Sequence, residues 1–160
     1  MNVEESTRKF KMSICVCAAL AIGACQPDRG QSVDVSYVTA PTLEGLHLPF
    51  PAAVRADQTL YLSGVIGNIP GKLELIPGGI AAETRQTMEN MKATLETVNL
   101  TMDDIVKCTV FMADISEWGA MNAVYRGYFT NPPARSALGT NGLALGARVE
   151  IDCIAVFGRQ

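Results

Sequence analysis

The hydrophobic periodicity of this chain predicts an α+β fold, a mostly antiparallel sheet of about six strands with two helices laid on one face. Three observations carry the prediction. Six short runs are apolar or alternate apolar and polar residues, two longer runs repeat apolar residues at helical spacing, and helices and strands are not strictly interleaved. With 160 residues the chain builds one domain with a real core and is too short for two of ordinary size.

The strands are predicted over 36–39, 53–56, 59–64, 105–112, 134–138 and 148–157. In the fourth, Val106, Cys108, Val110 and Met112 share one face by the two-residue period, opposite Lys107, Thr109 and Phe111. The first helix comes between the third and fourth strands. Ile80, Thr84, Met88, Met91, Leu95 and Val98 line one side of it, and Glu83, Arg85, Glu89, Lys92 and Glu96 occupy the other. Gly78-Gly79 breaks the chain before it, and Asn99 tolerates the left-handed turn that stops it. A second helix is read from 117 to about 129, with Ser116 as N-cap and Trp118, Met121, Tyr125 and Tyr128 along one stripe. Pro132-Pro133 ends it, because two prolines remove donors and force extended geometry. In the last strand Val149, Ile151, Cys153 and Ala155 fall on one side, while Ile154 and Val156 on the other side are also apolar, beside Glu150 and Asp152. Two helices cover only one face of such a sheet. The second face needs another cover, which implies an oligomer.

The start of the chain is read as separate from this domain. Arg8, Lys9 and Lys11 form a basic region before a short apolar run, 12–23, too short to cross a bilayer of roughly 30 Å but fitting an export signal. Ile22-Gly23-Ala24-Cys25 resembles the lipobox of bacterial lipoproteins, which implies lipidation of Cys25. The expected organisation is a lipoprotein-type signal peptide over 1–24, a polar tether over 25–34 and the domain over 35–160. In the same resemblance Gln26 after the cysteine favours the outer membrane, giving an exported, periplasmic protein that meets the membrane only through its lipid. If the leader is not used, the protein is cytoplasmic.

The formal charge is −3, and loss of the leader, with three bases and two acids, makes it −4. Such a domain has no electrostatic footprint for nucleic acid. Cys108 and Cys153 read first as small buried hydrophobes, with a disulfide between them as the alternative. His47 is the only histidine and reads as a solvent-facing loop residue. No paired-cysteine spacing is present, and no metal site is expected.

Chemistry concentrates near the C-terminus. Asn131-Pro132-Pro133-Ala134-Arg135-Ser136-Ala137-Leu138-Gly139, then a glycine-rich connector, then Arg148-Val149-Glu150-Ile151-Asp152 put a cation and an anion on two apolar segments that look like neighbouring strands. Burying either charge costs on the order of several kcal/mol unless it finds a partner or a ligand. The glycine-rich connector 139–146 does not lead a strand into a helix, so it offers no helix N-terminus to phosphates.

These residues resemble the RidA/YjgF family of enamine and imine deaminases. The similarity spans approximately 35–158. It is carried by Ser63-Gly64 after Leu60-Tyr61-Leu62, the helix with Asn90, the run 105–111, Asn122 with Tyr125 and Phe129, and above all Pro133-Ala134-Arg135-Ser136 with Val149-Glu150-Ile151. The resemblance implies a chorismate-mutase-like α+β fold, a homotrimer with clefts between adjacent subunits, and hydrolysis of 2-enamino or 2-imino acids, such as 2-aminoacrylate, without a cofactor.

Under that resemblance Arg135 anchors the substrate carboxylate, since a guanidinium fork takes it through two parallel hydrogen bonds. The bland alternative is an ion pair with Glu150 or Asp152 across the interface. Glu150 is implied in handling water and protons, against the alternative of an ion pair with Lys107 or Arg148. Ser63 and the backbone near Gly64 and Ala137 are expected to bind the substrate's polar edge, with Asn122 supporting the cleft. Phe50 stands where many of these deaminases carry tyrosine, and Ala137 where several carry cysteine. The competing reading is a non-catalytic trimer that binds small carboxylates or acts as a holdase. A ribonuclease role finds little in an acidic chain with one histidine.

Overall fold

The computed structural model describes residues 32–158, so the expected signal peptide, Cys25 and most of the tether lie outside the described residues. The strands are β1 (Val35–Val38), β2 (Ala53–Ala56), β3 (Thr59–Leu62), β4 (Val65–Ile66), β5 (Ile105–Met112), β6 (Ala134–Gly139) and β7 (Val149–Val156); the helices are α1 (Gly79–Glu96) and α2 (Trp118–Tyr125). They form one sheet in the order β1-β2-β3-β7-β5-β6, with β4 also paired to β7. Among the described residues only β5 and β6 run parallel. The predicted class and the two helices are observed; the third expected strand is split, because the chain turns at Ser63-Gly64 and continues as β4.

The final strand sits centrally. β7 pairs with β3 on one side and β5 on the other, so β5 lies between β6 and β7. The expectation that the segments carrying Arg135 and Glu150 are neighbouring strands is therefore wrong. Periodicity assigns residues to faces of a strand; it does not order strands in a sheet.

α1 and α2 pack against each other and cover one face. Met88, Met91 and Leu95 of α1 and Met121 of α2 are fully buried over Val110, Met112, Val149 and Ile151, as their helical and two-residue periods require. Gly67, just after β4, permits α1 to come close: a β-carbon there would stand 2.8 Å from the Glu83 backbone. Asn99 has φ 58°, the left-handed stop expected of it. Ser116 is not the helix cap. Asp114 accepts a hydrogen bond from the Ser116 amide, a 3-10 turn occupies Ile115–Glu117, and α2 begins only at Trp118 and gives way to a second 3-10 turn at Arg126. The cap moved because the Asp114 side chain accepts from the Ser116 amide and caps the 3-10 turn that precedes α2.

Cys108 and Cys153 face one another across β5 and β7, with Cα atoms 4.1 Å apart, and form a disulfide. This overturns the first reading of two separate buried hydrophobes. Both lie on the core face as their period predicted, but their direct opposition is a matter of register.

Among the described residues no helix covers the other face of the sheet. Tyr37, Val54, Tyr61 and Ile154 form a row across β1, β2, β3 and β7, and Tyr37 is 74% exposed. The demand for a second cover stands.

Candidate active site

The predicted site residues divide into two groups on opposite faces of the sheet. Side chains of laterally paired residues point the same way, and those an odd number of positions apart on a strand point opposite ways. Arg135 pairs with Cys108, which pairs with Cys153 on the helix-covered face; Glu150 lies three residues before Cys153 and pairs with Phe111 on the open face. One chain alone does not bring Arg135 and Glu150 together.

On the open face, Glu150 is half-buried on β7 beside the β3–β4 turn. Gly64 leaves room for the Glu150 carboxyl. A β-carbon at that position would lie 2.0 Å from Glu150 Oε1 and 2.9 Å from its Cδ, so the missing side chain is the space the carboxyl occupies. Burial, and after it the neighbouring Asp152 charge, raise the Glu150 carboxyl above the ordinary glutamate value. The ion-pair alternatives are not realised within the chain, because Arg148 pairs with Glu117 and Lys107 donates to Ser136 Oγ at 2.8 Å. Ser63 Oγ donates to the Pro51 carbonyl at 2.7 Å. With its proton committed, that hydroxyl offers a ligand only its lone pairs. Phe50, 49% exposed, stands with Ser63, Gly64 and Glu150 around a cavity of about 400 Å³.

On the helix-covered face, Arg135 is half-buried over two aromatic rings of α2, its guanidinium carbon 4.6 Å from the Tyr125 ring centre and 5.6 Å from that of Trp118. Such a platform holds a cation by about 0.5–1 kcal/mol and leaves its hydrogen-bonding edge for a ligand. Burial pushes the Tyr125 phenol up to about 12, with the Arg135 charge opposing it, so the ring stays neutral beneath the cation. Asn122 lies on α2 between Trp118 and Tyr125 at helical spacing and is half-buried. Ala137 turns its methyl toward the core beside Val110, which leaves only its backbone for a ligand. The sequence sets Trp118 and Tyr125 on one helical stripe and gives neither a place in the site, so their role beneath Arg135 comes from the structure. The signal was their i, i+7 stripe ending against the strand that carries Arg135.

Among the described residues there is no group of three or more histidine, cysteine or acidic side chains able to hold a metal ion, and His47 is exposed in the loop before β2.

Residues 45–157 match the family model described as Endoribonuclease L-PSP. The chain is 41% identical over 125 residues to rat 2-iminobutanoate/2-iminopropanoate deaminase, covering 78% of this chain and 89% of that one. The YjgF gene product of Escherichia coli superposes with a TM-score of 0.68 at 33% identity, covering 76% of this chain and 98% of that one. Escherichia coli TdcF with bound serine superposes at 0.71 with 28% identity, covering 78% and 99%. The expected resemblance holds on every count of length, identity and fold: this chain belongs to the Endoribonuclease L-PSP family, that of the RidA/YjgF proteins.

Proposed function

We propose that this protein is a cofactor-independent hydrolase that deaminates 2-enamino and 2-imino acids to 2-keto acids and ammonia, working as a homotrimer whose sites each span two chains. The observation that carries this reading is the division of its machinery. Arg135 waits on an aromatic platform on one face, while Glu150 is pressed against Gly64 at the mouth of a cavity on the other. A closed ring places the first half-site of one copy against the second half-site of the next and covers the apolar open face at the same time. The deaminase name of the rat relative and the serine bound in the TdcF structure support the substrate class.

The residues divide the work as follows. Arg135 takes the substrate carboxylate through its guanidinium fork. The Ser63 lone pairs accept the N–H of the imine. Glu150 takes a proton from water as the water oxygen bonds to C2, and the C=N electron pair moves to nitrogen, which gains a proton. The carbinolamine's hydroxyl proton passes to the nitrogen by way of the Glu150 carboxyl, the C–N bond breaks as the C=O bond forms, and ammonia leaves the keto acid. An enamine first moves one proton from nitrogen to carbon. Since imines hydrolyse in water unaided, positioning is the main contribution required.

Phe50 favours the competing reading of a carboxylate-binding trimer without turnover, because a phenyl ring at the cavity mouth gives water no hydroxyl to lean on. The ribonuclease activity in the family description finds no support in an acidic chain whose one histidine is exposed. Export with a lipid on Cys25 is part of the proposal, and the disulfide supports it, since such bonds persist in oxidising compartments. Diacylglycerol in the mass of the N-terminal fragment tests that part; an intact Met1 there refutes it. For the activity, 2-iminopropanoate generated in the presence of the purified protein is expected to yield pyruvate faster than it does spontaneously. Arg135→Ala is expected to remove the acceleration, and wild-type rates in that variant would discard the anchor.

A further inference from the structure

The cavity behind Glu150 is much larger than a methyl or ethyl group needs. Its volume of about 400 Å³ falls within the range of roughly 300–1,000 Å³ typical of sites for far bigger ligands. Leu43, Leu46, Leu48, Phe50, Leu73 and Leu145 line it, and Ser63, Gly64 and Glu150 stand in the same wall. Of the polar groups that also border it, those of Asn90, Asn68 and Thr94 are already engaged, while Thr42 adds a hydroxyl to the lining. The Asn90 amide donates to the carbonyls of Ile66 and Asn68 and to Asn68 Oδ1, the Asn68 amide donates to the carbonyls of Ile69 and Lys72, and Thr94 donates to the Asn90 carbonyl. Apart from the Thr42 hydroxyl, what remains for a ligand is hydrocarbon, continuous with the proposed catalytic carboxyl.

We infer that the preferred substrates are imino acids with a large apolar side chain, of the branched aliphatic or aromatic kind derived from leucine or phenylalanine, with that side chain seated in the leucine-lined cavity. This rests on the deaminase reading and narrows it. An imine has its carboxylate and its side chain on opposite sides of C2. With the carboxylate on Arg135 of one chain and C2 beside Glu150 of the next, the side chain points away from the arginine into the cavity. A charged or strongly polar side chain would lose its water there without a partner. A methyl group would leave the cavity mostly empty.

The test compares imines made in place by an amino-acid oxidase, with oxygen as oxidant and catalase to remove peroxide, from alanine, leucine and phenylalanine. The expected kcat/KM for the leucine imine exceeds that for the alanine imine by at least about tenfold, as burial of three further carbons requires. Leu73→Asp puts a charge at the rim of the cavity from a side chain 59% exposed, so the fold tolerates it, and is expected to lower the leucine-to-alanine ratio at least about fivefold. A calorimetric arm measures 4-methyl-2-oxopentanoate against pyruvate and reads the cavity without turnover. Equal or reversed preference in both arms overturns the inference while leaving the deaminase reading standing. Tighter binding of the branched acid with no hydrolysis of any imine leaves the cavity assignment standing and overturns the deaminase reading.

Discussion

Gly64→Ala separates the chemistry of Glu150 from the stability of the fold. The added methyl carbon would start 2.0 Å from Glu150 Oε1, where ordinary contact begins at 3.4 Å, so the carboxyl must retreat by about 1.4 Å, the difference of the two. A displacement of roughly 1 Å in a positioned group costs about a hundredfold in rate, or about 2.7 kcal/mol of transition-state stabilisation. Stability is expected to change far less. The clashing atoms are the far end of a flexible, half-exposed side chain, and alanine offsets part of the cost by about 0.4–1 kcal/mol through a less mobile unfolded chain. The assay is keto-acid release from a generated imine, run beside thermal denaturation. A loss of kcat/KM near a hundredfold with a nearly unchanged Tm is expected. In a Glu150→Ala background the same glycine substitution is expected to cost nothing further, as two changes acting through one group do not add. Full activity in Gly64→Ala would refute the placement of Glu150 as the reacting carboxyl.

Arg135→Ala and Glu150→Ala are each expected to be inactive, whereas their co-assembled mixture is expected to regain roughly a quarter of the sites by random pairing of intact halves in a ring; no recovery on mixing would exclude sites shared between chains. Burial, and next Asp152, raise the Glu150 carboxyl in the folded chain, so the folded state holds a proton that the unfolded state has released. Stability is therefore expected to fall as pH rises from the unfolded glutamate value to the raised one and to level off above it, and Glu150→Gln removes this slope; identical urea midpoints for both proteins across that window would contradict the shift. Reduction of the Cys108–Cys153 disulfide, which spans 45 residues, is expected to cost about 4 kcal/mol by the chain-entropy estimate, read as a fall in the denaturant midpoint of the reduced protein. An unchanged midpoint would mean the crosslink restrains the unfolded chain very little.

The elements were legible because each is a local pattern. Ile80, Met88 and Leu95 recur at helical spacing whatever surrounds them, and Cys108, Val110 and Met112 alternate on β5 for the same reason. The family was legible because Pro133-Ala134-Arg135-Ser136 and Val149-Glu150-Ile151 are contiguous in the chain. Ser116 misled because the chain makes a 3-10 turn before the helix, and the side chain that caps this turn is Asp114, which accepts from the Ser116 amide.

The amino-acid sequence by itself determined the α+β class, the two helices, the residue types of the site and the need for a cover on the second sheet face, since all of these follow from order and spacing along the chain. Only the tertiary structure decided that β5 separates β6 from β7, that Cys108 stands opposite Cys153, that Gly64 makes room for Glu150, and that Arg135 and Glu150 point to opposite faces. Strand order and register are set by the total packing of a sheet under two helices, and shifting a strand by one residue turns every side chain on it to the other face. Information of that kind is spread over the whole domain, so no single segment carries it.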